Sequence, residues 1–142
     1  MVTNEIVVGT PPQTLTVVFD TGSFDLEIAS MQTWLSLPRL SLKTLTGTLC
    51  GDACSNQIQF NPNQSTTFVD GGATGFISFA TGVGVDPVIN NDYVLQLRNG
   101  TDTVSVGGIA VKDLEILLIT DQTPQFNIDP FSGIQGAFSI AS

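Results

Sequence analysis

The chain has 142 residues, 42% of them apolar, with 13 acidic residues against 4 basic ones and no histidine. That length is one domain's worth and enough for a real core. A formal net charge of −9 offers nothing to neutralise phosphates, which argues against nucleic acid as a partner, and the missing histidine excludes a histidine-based triad and most histidine-ligated metal sites. No apolar run reaches membrane-spanning length, and Met1 is not followed by the basic and then apolar stretches of a signal peptide. The acidic balance suits a secreted protein that works in acid, and it suits an ordinary acidic soluble protein equally well.

In chain order, Ile6-Val7-Val8 is expected as a short strand, ended by Gly9-Thr10-Pro11-Pro12, whose prolines cannot donate to a ladder. Leu15 to Phe19 is a second strand, a β-branched and aromatic run that reads as buried. It stops at Asp20-Thr21-Gly22-Ser23, a turn of one carboxylate, two hydroxyls and a glycine. A carboxylate brought to the end of a rigid strand is well placed for chemistry, although Asp-Thr-Gly alone also suits a plain hairpin turn. Leu26-Glu27-Ile28 resumes the extended pattern. The stretch 31–49 differs in character, with Trp34, a leucine-rich run (Leu35, Leu37, Leu40, Leu42 and Leu45) spaced by neither a strand nor a helix period, and the basic residues Arg39 and Lys43.

Cys50 and Cys54 are close enough to close a small loop, or to form a metal or redox pair in a reducing compartment. Too few further ligands exist for a metal, which favours the disulfide. Asn63-Gln64-Ser65 and Asn99-Gly100-Thr101 are glycosylation sequons, meaningful only in a secreted chain. Gly71-Gly72-Ala73 is expected as a turn, Phe76 to Phe79 as a strand, and Ala80 to Gly84 as a hairpin tip with its return strand at Tyr93 to Leu97. Arg98-Asn99-Gly100 reads as another turn. Thr103 to Val106 and Ile109 to Val111 flank Gly107-Gly108, and Leu114 to Ile119 is a buried strand. Many short strands punctuated by Gly, Pro and Asn argue an all-β barrel or sandwich.

Val8-Gly9-Thr10-Pro11-Pro12-Gln13, then Phe19-Asp20-Thr21-Gly22-Ser23 and Asp25-Leu26, resembles the pepsin-like aspartic proteases, and specifically the first of that family's two lobes. The likeness continues through Cys54-Ser55-Asn56, Phe60-Asn61-Pro62 and Ser65-Thr66-Thr67-Phe68. It implies that residues 1–142 form one N-terminal lobe of the bilobal β-barrel fold, with 31–49 as an insertion. That insertion reads as a surface loop or short helix, or as non-native translated sequence such as a retained intron. The second is favoured because a long leucine-rich loop would expose apolar surface. An incomplete product of a longer gene is the expected account of the chain.

The resemblance also implies acid peptide-bond hydrolysis by two carboxylates that share a proton and activate a water, with an extended peptide or protein as substrate and no metal or organic cofactor. Asp20 matches the first catalytic Asp, Thr21 and Gly22 shape its turn, and Ser23 matches a supporting hydroxyl. No second Asp-Thr-Gly or Asp-Ser-Gly is present, so the second carboxylate is expected from a C-terminal lobe absent from this chain, and the chain alone is expected to be inactive. Phe79, Ala80, Thr81 and Gly82 match the substrate-covering flap. Phe79 stands where the family has Tyr and Glu27 where it has Trp, and the family's tie between those two is therefore missing. In Phe131-Ser132-Gly133-Ile134-Gln135-Gly136, Ser132 replaces an Asp and Gln135 a buried Leu, and a buried amide without partners costs about 1–3 kcal/mol. The implied location is secreted or vacuolar/lysosomal. Two alternatives are a non-catalytic peptide-binding or inhibitor-like protein on the same fold, and a homodimer of the retroviral type with Asp20 from both copies.

Overall fold

The computed structural model describes residues 3–31, 50–78, 94–124, 126 and 130–136. Seven strands form one sheet: β1 (Thr3–Val8), β2 (Gln13–Asp20), β3 (Leu26–Ala29), β4 (Val69–Ser78), β5 (Val94–Val106), β6 (Ile109–Gln122) and β7 (Gly133–Gly136). The hydrogen-bonded order is β1-β2-β7-β3-β6-β5-β4, and β1 also pairs with β5, so six strands close into a barrel while β4 extends from β5. The neighbours are antiparallel except β2 with β7 and β3 with β6. Short 3-10 turns lie at Gly51–Cys54 and Pro62–Gln64, and Pro124 and Phe126 also have 3-10 conformation.

Period-two alternation places the core. Leu15 and Val17 of β2 point inward between half-buried or exposed neighbours, and they pack with Ile6, Val8, Leu26, Ile28, Phe60, Val104, Ile116 and Leu118. A second cluster lies on the other face of the β3 and β7 strands, where Ala29 and Ile134 meet Leu95, Leu97, Ile119 and the two cysteines. Cys50 and Cys54 are joined as a disulfide. Ser30 O accepts from Cys50 N at 3.4 Å, so the chain on either side of residues 32–49, which lie outside the described residues, meets at the barrel wall.

Two expected turns are strand instead. Arg98-Asn99-Gly100 runs through the middle of β5, and Gly71-Gly72-Ala73 lies inside β4, whose register against β5 breaks between Asp70 and Thr74. The break is a bulge, and Asn99 fills it. Its Oδ1 accepts from Ala73 N at 2.9 Å, replacing a bond that the ladder loses there. Arg98 adds a two-pronged ion pair to Asp70 across the same step, at 2.8 and 2.6 Å. The turn at Gly107-Gly108 does form, with both residues at positive φ (58° and 84°), as a two-residue hairpin requires.

The loop Phe60 to Phe68 is bound to the barrel by a fully buried carboxylate. Asp102 on β5 accepts from Ser65 Oγ (2.7 Å), Thr67 Oγ1 (2.6 Å) and Thr103 N (2.7 Å). Ser65 Oγ in turn accepts from Thr10 N at 3.1 Å. Gly9, at φ 84°, lies against this group, and a Cβ there would approach Ser65 Oγ to 2.7 Å. Turn, loop and strand thus converge on one carboxylate that the sequence reading passed over.

Candidate active site

Asp20 closes β2, half-buried, opposite Gly136 of β7. Its Oδ1 accepts from Gly22 N at 2.8 Å, a local Asx bond that holds the carboxylate at the head of the turn. A Cβ on Gly22 would lie only 3.2 Å from that same oxygen, so the glycine keeps space beside it. Thr21 and Gly22 are exposed, whereas Ser23 Oγ is buried and lacks a partner. The run expected to be buried up to Phe19 ends earlier: Phe19 is 38% and Phe24 is 72% exposed. Both lie past Val17, the last inward position of β2.

β7 is the platform for this turn. It runs between β2 and β3, parallel to the first and antiparallel to the second. Ser132 N donates to Thr16 O (2.6 Å), Ser132 O accepts from Ala29 N (2.7 Å), and Gly136 N donates to Asp25 O (2.7 Å). The close crossing demands glycines. A Cβ on Gly136 would come within 2.6 Å of the Ser23 and Phe24 backbone, and one on Gly133 would run into the Glu27 carbonyl.

Three polar side chains are buried in this platform. Gln135, 1% exposed, uses its Nε2 on Gly136 O at 2.8 Å and leaves Oε1 without a partner. Ser132 Oγ is likewise buried and unpartnered. Glu27, 1% exposed, lies opposite Ile134 and Leu117, and its Oε2 has no partner. Burial, reinforced by the nearby charges of Asp25 and then Asp20, pushes the Glu27 carboxyl from its ordinary 4.5 up to about 7. In acid it is therefore a buried neutral group.

The structure thus brings Asp20, Thr21, Gly22 and Ser23 together on β7. The other expected site residues fall elsewhere. Phe79, Ala80, Thr81 and Gly82 lie outside the described residues. Asn63 is exposed on the 3-10 turn at Pro62–Gln64, and Asn99 is half-buried in β5. Among the described residues no cluster of three or more Asp, Glu, Cys or His side chains is arranged to hold a metal ion.

Comparison with known proteins agrees with this geometry. The sequence matches the eukaryotic aspartyl protease family over residues 2–141. Rhizopuspepsin-3 of Rhizopus niveus is 33% identical over 132 residues, covering 93% of this chain and 27% of that protein. Pepsin-2B of Gadus morhua is 35% identical, covering 92% and 32%, and pepsin A of Suncus murinus is 36% identical, covering 92% and 27%. The chain therefore spans a third or less of the length of these curated relatives. With Asp20 seated on β7 in a closed barrel, the match over nearly its whole length establishes that the chain belongs to the eukaryotic aspartyl protease family.

Proposed function

We propose that residues 1–142 are the N-terminal lobe of an aspartic endopeptidase, with 31–49 as an insertion and Asp20 as one of two catalytic carboxylates. The second carboxylate comes from a C-terminal lobe that the chain does not include. Two such groups a few Å apart share one proton. The ionised member takes a proton from the attacking water while the shared proton stabilises the carbonyl oxygen and then passes to the leaving amine. Asp20, Thr21, Gly22 and Ser23 form the catalytic turn, and Phe79 to Gly82 cover an extended peptide substrate. The enzyme is secreted or vacuolar/lysosomal and works in acid. The observation that carries this reading is the carboxylate of Asp20, held by Gly22 N at 2.8 Å on the rim of the barrel and flanked by exposed Phe19 and Phe24.

The test is hydrolysis of a denatured globular protein at pH 3–5, with and without pepstatin. It uses the chain alone over a range of concentrations, and the chain joined to the second half of a rhizopuspepsin. The chain alone is expected to be inert, and the joined protein to show pepstatin-sensitive turnover that Asp20→Asn abolishes. Turnover by the chain alone that rises with the square of concentration would mean a dyad built from two copies. A second reading, peptide binding without catalysis, is favoured by the polar replacements Glu27, Ser132 and Gln135 under the turn. It prevails if the folded, joined protein binds pepstatin yet turns nothing over.

A further inference from the structure

The sequence presents its two sequons as equals, but the fold does not. Asn99 stands in the middle of β5, and its amide is part of the sheet: Oδ1 accepts from Ala73 N at 2.9 Å in the β4 bulge. The amide also lies flat against Gly71, where a Cβ would stand 2.6 Å from Asn99 Cγ and 2.8 Å from Nδ2. A sugar attached to that nitrogen meets the β4 backbone. Asn63 is exposed on a 3-10 turn whose start is capped by Asn61, with Asn61 Oδ1 accepting from Asn63 N at 3.1 Å. The side chain of Gln13 holds Asn61 through two bonds, at 2.9 and 2.8 Å. Asn63 is thus an exposed acceptor on a rigid base.

We propose that Asn63 is a site of N-linked glycosylation in the folded protein and that Asn99 is not, its amide serving instead as the staple of the β4 bulge. The assignment rests on the reading that the chain passes through the secretory pathway. In the modification a bond forms between Asn63 Nδ2 and the anomeric carbon of an oligosaccharide carried on a lipid diphosphate. The bond from that carbon to the diphosphate oxygen breaks, the lipid diphosphate leaves with the electron pair, and the amide gives up one proton. The location is compatible with the proposed activity. Gln13 and Asp20 lie at opposite ends of β2, about 23 Å apart at ~3.3 Å per residue, so a glycan beside Gln13 stays clear of the catalytic turn.

The test is secretion of the chain from a eukaryotic host behind a supplied leader, with occupancy read by mass before and after peptide-N-glycosidase. The enzyme converts each occupied asparagine to aspartate, which locates the site. The secreted chain is expected to carry one glycan, at Asn63. Asn63→Gln is expected to remove it, and Thr101→Ala, which destroys the second sequon while leaving the Asn99 amide in place, to leave the mass increment unchanged. A glycan on Asn99 in the folded product, an increment that survives Asn63→Gln, or a secreted chain with no glycan overturns the proposal. Because the readout is mass, none of these results depends on whether the protein cleaves peptides.

Discussion

Replacing Glu27 by Gln should change how stability depends on pH. The folded state holds the Glu27 proton tightly, with a pKa raised from 4.5 to about 7 by burial and by Asp25 and Asp20. A raised carboxyl pKa stabilises the fold fully below the unfolded value, and that stabilisation is lost as pH climbs through the folded value. A shift of roughly 2.5 units at 1.36 kcal/mol per unit gives about 3 kcal/mol, lost between about pH 4.5 and 7 and flat beyond. An amide carries no charge at any of these pH values. Glu27→Gln should therefore match the parent within about 1 kcal/mol at pH 4 and exceed it by up to about 3 kcal/mol at pH 8. Chemical denaturation at pH 4, 5, 6, 7 and 8 measures both curves, and their difference isolates Glu27 from the chain's other carboxylates. Parallel curves across that range would refute the reasoning and mean that the Glu27 carboxyl is solvated in the folded protein.

Three further outcomes are expected from the same denaturation measurements at pH 5. Asp102→Ala strips the acceptor from two hydroxyls and a backbone N–H in a buried site and should cost about 3–5 kcal/mol. Hydrogen exchange should show the loop around Ser65 opening first. Gln135→Leu removes an oxygen without a partner at the price of one bond to Gly136 O and should stabilise by about 1 kcal/mol. Gly133→Ala puts a methyl group into the Glu27 carbonyl and should cost about 3 kcal/mol or more, since backbone cannot yield there as a side chain would.

The strands around Asp20 were legible because their causes are local. β-Branched runs, the prolines after Val8 and the paired glycines at 107 and 108 each fix a short stretch of backbone without help from elsewhere. What escaped depends on distant residues. Arg98-Asn99-Gly100 has the composition of a turn, yet a bulge in β4 uses the Asn99 amide and Arg98 finds Asp70, so tertiary bonds hold the segment extended. Asp102 gave a usable signal, a carboxylate inside the alternating run from Thr101 to Val106, but its partners Ser65 and Thr67 lie 37 and 35 residues away. Glu27 was visible as an odd residue for its position. Its raised proton affinity comes from burial and from the charges of Asp25 and Asp20, and the burial depends on β3 lying between β6 and β7, which only the sheet order reveals.

The position of β7 has a consequence for how the protein is made. β2 and β3 leave the ribosome well before the strand that fits between them, which arrives about a hundred residues later, some 5–20 s at ordinary rates of synthesis. During that interval both carry an unpaired edge, and the turn bearing Asp20 has no floor. The nascent barrel is therefore open along the seam that later supports the Asp20 carboxylate. That seam is where a holding chaperone would act, and where two nascent chains would most readily pair with each other by mistake.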